Sequence, residues 1–90
     1  MAEQRIELSP RALRDLQKFP PPVARKILDD IEVLGETPWP GPPQVKKLKG
    51  YELYRLRTGN YRSIFEARQG KVVVLRIVNR KDLERILETL

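Results

Sequence analysis

The sequence predicts an α+β fold: a helical hairpin packed on one face of a small, mainly antiparallel four-stranded sheet (β-α-α-β-β-β), with a short C-terminal helix. Three observations carry this. Apolar residues recur at three- and four-residue steps through residues 10–34, the spacing of a buried helix face. Residues 52–78 hold three β-rich segments broken by glycine-containing turns, the pattern of hairpin-linked strands. Between them, residues 35–45 carry four prolines and two glycines, too many for a regular element. Ninety residues suit one domain, residues 1–90, with a compact core.

Taken in order, Arg5–Leu8 alternates Arg5 and Glu7 with Ile6 and Leu8, a short first strand. Ser9-Pro10 starts a helix. The serine hydroxyl can cap an unpaired amide, and proline at the first helical position sacrifices no hydrogen bond. Ala12, Leu13, Leu16 and Phe19 form one apolar stripe, which sets the first helix at Pro10–Lys18. Pro20-Pro21-Pro22 ends it, because proline lacks an amide proton and disfavours helix in the residue before it. The second helix places Val23, Ala24, Ile27, Leu28, Ile31 and Leu34 on one side and Arg25, Lys26, Asp29, Asp30 and Glu32 on the other. Trp39, in the proline-rich connector, reads as a pin holding the loop to the core, with base stacking as the alternative.

The second strand, Glu52–Arg57, points Leu53, Arg55 and Arg57 one way and Tyr54 and Leu56 the other. Thr58-Gly59-Asn60 turns the chain into the third strand, Tyr61–Ala67, and Arg68-Gln69-Gly70 turns it into the fourth, Lys71–Val78. Asp82–Leu87 closes the chain as a helix too short to be stable alone. The face expected under the helices comprises Tyr54, Leu56, Tyr61, Phe65, Val73, Leu75 and Ile77. The opposite face then presents Arg55, Arg57, Arg62 and Arg76, with Arg80 at its end. Tyr54 and Tyr61 read as core rings, with stacking on bases as the alternative.

Charge is concentrated on this sheet. Residues 46–81 hold eleven Lys or Arg against Glu52 and Glu66, a local excess of +9 in a chain of net +6. A face lined with guanidinium groups suits a phosphate backbone or an acidic partner. Lys46, Lys47 and Lys49 read as a solvated edge or as a means of steering RNA. The chain has no cysteine and no histidine, which removes thiol chemistry, the usual neutral-pH base and the commonest metal ligand. Catalysis would have to use Arg, Lys, Tyr, Asp or Glu, and no cofactor or metal is expected. The longest apolar run, Val72–Leu75, is far short of the ~20 residues of a membrane span. The N-terminus shows no apolar signal region, so a cytoplasmic location is expected.

Leu48-Lys49-Gly50, then Tyr54-Arg55-Leu56-Arg57 and Gly59-Asn60-Tyr61-Arg62, form a pattern that resembles the RelE/ParE toxin superfamily of bacterial toxin–antitoxin systems. The Val72–Lys81 segment, ending Asn79-Arg80-Lys81, adds to it, and the resemblance covers nearly the whole chain. Its RelE-like branch implies a ribosome-dependent, metal-independent messenger RNA endonuclease that inhibits translation. Carried over residue by residue, the catalytic positions are Arg55, Arg62 and Arg80, and the RNA-binding positions are Lys47, Lys49, Arg57, Arg76 and Lys81. The partners implied are a cognate antitoxin, the ribosome and messenger RNA, with no membrane. The free toxin would be a monomer and its antitoxin complex a hetero-oligomer. An acidic, partly helical antitoxin segment would cover the basic face and displace the closing helix.

This chain departs from that pattern in its proton-transfer groups. Leu53 stands where some RelE relatives have lysine, Asn79 where many have histidine, and Glu84 at the position of a terminal tyrosine. Arginine is a poor proton acceptor, so Arg55 stabilises charge better than it serves as a base. For Arg62, pairing with Glu66 or Glu52 is the alternative to a phosphate contact. Two further readings remain open: a ParE-like inhibitor of gyrase without ribonuclease activity, and an inactive homologue that binds only its antitoxin.

Overall fold

The computed structural model describes residues 4–36 and 38–90. Residues 1–3, the start of the N-terminal stretch expected to lack a signal region, and Thr37 of the proline connector lie outside the described residues. The elements are β1 (Arg5–Leu8), α1 (Pro10–Gln17), α2 (Pro21–Glu32), β2 (Val45–Lys47), β3 (Tyr54–Thr58), β4 (Tyr61–Arg68), β5 (Lys71–Asn79) and α3 (Leu83–Leu87). They form one sheet in the order β1-β5-β4-β3-β2, with β1 parallel to β5 and the other pairs antiparallel. No helix among the described residues is long and apolar enough to cross a membrane.

The predicted α+β architecture is present, with five strands rather than four. The additional strand, β2, is three residues long and pairs Val45 with Leu56 and Lys46 with Arg55. Its single apolar side chain, Val45, is buried, and two lysines follow it, so no alternation announces a strand. Lysines on an edge strand also discourage pairing with another chain.

The Ser9 cap is present and used twice. Its hydroxyl accepts from the Ala12 amide at 3.1 Å and donates to the Leu75 carbonyl at 2.8 Å, fixing the start of α1 against β5. The stripe that α1 buries differs from expectation. Ala12 and Leu16 are buried as predicted, but Leu13 is 46% exposed and Asp15 takes an inward place. Ile27, Ile31 and Leu34 supply the buried side of α2 and its short 3-10 extension, while Leu28 points outward.

On the sheet face under α1 and α2, Tyr54, Leu56, Tyr61, Phe65 and Ile77 lie as predicted, but Val72 and Val74 replace Val73 and Leu75. A β-bulge is the reason. Phe65 pairs with Val74 and Ile64 with Arg76, which leaves Leu75 as an extra residue. Unbroken alternation back from Ile77 therefore fails at Leu75, and the inward set changes parity. The opposite face is only partly open. α3 lays Ile86 and Leu87 over Ile64 and Val78, with Leu48, Leu53 and Leu83 at the margin.

Trp39 pins the connector. Its indole N–H donates to the Leu34 carbonyl at 3.0 Å, and its ring meets Tyr54 and Phe65 edge-on at 5.3 and 5.4 Å. Tyr61 packs on Phe19 at 4.8 Å, so Tyr54 and Tyr61 are both held by core rings. Because Trp39 is half-buried, Trp39→Ala is expected to cost about 2 kcal/mol, below the ~3–5 kcal/mol of a fully buried aromatic. The urea midpoint of the variant checks this. The Ser63 hydroxyl, on the helix-covered face, is fully buried and has no hydrogen-bond partner among the described residues. Leaving a polar group unpaired in an apolar core is costly, so Ser63→Ala is expected to stabilise the fold by about 1 kcal/mol. An upward shift of the same midpoint with unchanged slope would be the sign of it.

Candidate functional site

The β3–β4 hairpin builds the site. Its register places Arg57 directly across from Arg62, and Arg55 across from both Ile64 and Lys46. Residues directly opposite in a ladder share a face, so Arg55, Arg57, Arg62 and Lys46 project from the side away from α1 and α2. The turn between the strands is tight because Gly59 takes a φ of +57°, which a side chain would resist. Arg80 arrives from the end of β5. Its amide donates to the Asn60 carbonyl at 2.8 Å, tying the exit of β5 to that turn.

The guanidinium groups lie close enough to act on one another. The pKa of Arg62 is lowered, first by its burial and then by the positive charges of Arg55, Arg57 and Arg80. Hydrogen bonds to backbone oxygens hold two of the group. Arg62 Nη1 donates to the Gly59 and Tyr61 carbonyls, both at 2.9 Å, and Arg55 Nη1 donates to the Pro43 carbonyl at 2.9 Å. Among the described residues, none of Arg55, Arg57, Arg62 and Arg80 forms an ion pair with a carboxylate. The acids considered as partners for Arg62 are engaged elsewhere: Glu66 with Arg68 at 3.0 Å and Glu52 with Lys47 at 3.8 Å.

Arg76 does not join the cluster, contrary to the expectation from alternation. Its guanidinium makes a two-point contact with the Asp15 carboxylate of α1 at 2.8 and 3.1 Å. Asp15 also accepts the Ile77 amide at 2.8 Å. The cause is topological. β1 stops opposite Val74, so the remaining edge of β5 has no neighbouring strand, and a carboxylate from α1 takes up its free donor.

The lysines are dispersed. Lys47 is exposed on β2, and Lys49 is exposed in the following loop. Lys81 lines a groove between α1 and α3 with Lys18 and Arg85. Asn79 accepts the Lys81 amide at 3.1 Å and so caps the 3-10 turn that presents Arg80. Lys46, read from the sequence only as a solvated edge or an RNA-steering charge, stands beside Arg55. Only its register with Arg55 places it on the basic face, and that required β2.

Chemically, the cluster can hold a phosphate and stabilise added negative charge on it. It has no proton acceptor of its own, because guanidinium only donates. Glu84 is exposed on α3, and Tyr54 and Tyr61 are occupied by ring contacts. Among the described residues no group of three or more His, Cys, Asp or Glu could hold a metal ion.

No curated protein matches the chain in sequence. Solved structures do share its fold. The toxin–antitoxin complex RelBE2 from Mycobacterium tuberculosis contains a chain 24% identical, with a TM-score of 0.74 over 87% of this chain and 99% of that one. The archaeal RelE–RelB complex from Pyrococcus horikoshii gives 28% identity and a TM-score of 0.74, covering 89% of this chain and 97% of that one. A mutant of Escherichia coli toxin RelE in the free state gives 22% and 0.72, covering 98% and 94%. The family model of the ParE toxin of type II toxin–antitoxin systems matches residues 6–87. With nearly its whole length matched and its order of elements shared with RelE chains, this chain belongs to the ParE toxin family, within the RelE/ParE superfamily.

Proposed function

We propose that this toxin is a RelE-like endoribonuclease that cuts messenger RNA on the ribosome and so inhibits translation. The observation that supports it is the grouping of Arg55, Arg57 and Arg62 on one sheet face, with Arg80 brought up beside them from the turn after β5, and no ion pair to a carboxylate among the described residues. Such a cluster is unfavourable alone and becomes favourable when a phosphate enters it. In the proposed step a ribose 2′-oxygen attacks the adjacent phosphorus, and the bond from phosphorus to the 5′-oxygen breaks. The products are a 2′,3′-cyclic phosphate and a free 5′-hydroxyl. Arg62, with Arg55 and Arg80, stabilises the charge on the five-coordinate phosphorus, while Arg57, Lys47, Lys49 and Lys81 draw in the RNA backbone. Since a guanidinium cannot accept the 2′-proton and, with its very high pKa, gives up its own poorly, removal of the 2′-proton and protonation of the 5′-oxygen fall to groups of the ribosome. A cognate antitoxin with an acidic segment is the partner that would neutralise this face, and the cytoplasm is where both act.

The lack of a proton acceptor in the cluster favours a second reading, gyrase inhibition without RNA cleavage. One experiment separates them. Ribosomes programmed with messenger RNA are incubated with the protein and the RNA is mapped by primer extension. Site-specific cuts that depend on Arg62 support the nuclease. Intact RNA together with stalled, DNA-cleaved gyrase supports the alternative.

A further inference from the structure

We propose that Tyr51 is a stacking platform for an unpaired base of the RNA that the arginine face holds, an inference that rests on the nuclease reading above. Tyr51 stands at the tip of the loop between β2 and β3, 40% exposed. It differs in this from the other aromatic residues of the chain, each of which packs against another ring. The loop has a defined shape. Leu48 N–H donates to the Leu53 carbonyl at 2.8 Å, and Tyr51 N–H to the Leu48 carbonyl at 3.2 Å. Gly50 turns the chain with a φ of +83°, a conformation that glycine alone adopts freely.

The roots of that loop lie on the basic side of the sheet. Leu48 and Leu53 pack beside Ile64, and Ile64 is directly opposite Arg55. Tyr51 lines a shallow depression of about 490 Å³ together with Lys47, Lys49 and Glu52; Glu52 lies 3.8 Å from Lys47, which leaves Lys49 as the exposed cation beside the ring. Cationic groups that track a backbone, with an aromatic face for the bases, are how proteins bind single-stranded nucleic acid. Tyr51 precedes Arg55 by four residues, at most about 13 Å of extended chain. A base one or two nucleotides from a phosphate at Arg55 can therefore reach the ring.

The test uses a fully 2′-O-methylated single-stranded oligoribonucleotide, which has no free 2′-hydroxyl to attack, carrying one 2-aminopurine. Wild type, Tyr51→Ala, Tyr51→Trp and Arg62→Ala are titrated into it at several salt concentrations. Tyr51→Ala is expected to bind about tenfold more weakly, with the salt slope unchanged and the 2-aminopurine quench lost. Tyr51→Trp should retain both affinity and quench. Arg62→Ala should flatten the salt slope by about one phosphate contact. If wild type binds and quenches and Tyr51→Ala does the same, Tyr51 is no platform, while the nuclease reading stands. If Tyr51→Ala loses affinity only for a poly-glutamate peptide, the residue serves a protein partner and the inference is overturned. If wild type binds no oligonucleotide, the inference is overturned, whereas the nuclease reading is decided separately by primer extension on programmed ribosomes.

Discussion

Arg62→Ala is expected to reduce cutting of ribosome-programmed messenger RNA by at least about 100-fold, a loss of ~3 kcal/mol of transition-state stabilisation. The size is that of removing one preorganised donor from a developing charge, and the surroundings of Arg62 act in the same direction. Burial and the neighbouring charges of Arg55, Arg57 and Arg80 lower the Arg62 pKa, so the fold penalises its charged form. That penalty is present at every pH below the ordinary arginine range, so it shows no pH dependence in use; an anion relieves it. A five-coordinate phosphorus carries more charge on its oxygens than the ground state and gains more from the relief. The fold should survive the change, because Arg62 binds only the Gly59 and Tyr61 carbonyls, where water can replace it. Arg62→Lys should recover a small part of the activity, since a point charge lacks the planar fork. Primer extension measures the loss, and a thermal melt verifies the fold. Full-strength cutting by a folded alanine variant would remove Arg62 from the reaction and leave the cluster without its centre.

How much of this could be read from the sequence depends on whether the information was local. Ser9-Pro10, the triple proline and Gly59 each act within a few residues, and the caps, breaks and turns they imply are present. Arg55, Arg57 and Arg62 came out on a shared face because period-two alternation holds without interruption through β3 and the first half of β4. Alternation fails at the bulge beside Leu75, so Val73 and Leu75 left the core face; Arg76, on the near side of the bulge and still opposite Ile64, was drawn from the cluster by Asp15 instead. A single inserted residue leaves no compositional trace. β2 was invisible for a different reason, since Val45-Lys46-Lys47 becomes a strand only because β3 offers it an edge. Asp15 was equally hidden, because its partners lie more than sixty residues away in β5.

Asp15→Ala is expected to cost about 3–5 kcal/mol, a large part of what holds a chain of this size folded. The carboxylate makes three bonds at once, two to the Arg76 guanidinium and one to the Ile77 amide, and both charged side chains are nearly enclosed. Removing it leaves a cation with no counter-charge and an amide with no acceptor, each in a place that water reaches poorly. The bond from Asp15 raises the Arg76 pKa, so Arg76 stays charged below the ordinary arginine range, and what its charge contributes is lost as pH rises through the raised value. Arg76→Met removes the cation and leaves the carboxylate with only the Ile77 amide, so it should also destabilise. The double variant, Asp15→Ala with Arg76→Met, separates the two functions of the carboxylate. If the ion pair is the larger one, the double should be more stable than Asp15→Ala, because no buried charge remains. It should still fall below wild type by about 1–2 kcal/mol for the orphaned Ile77 amide. Urea denaturation of the four proteins gives the coupling energy directly. If the two single losses simply add, the guanidinium contributes nothing through Asp15, and the polar ties of α1 to β5 reduce to the Ile77 amide and the Ser9 cap beside the packing of Ala12 and Leu16.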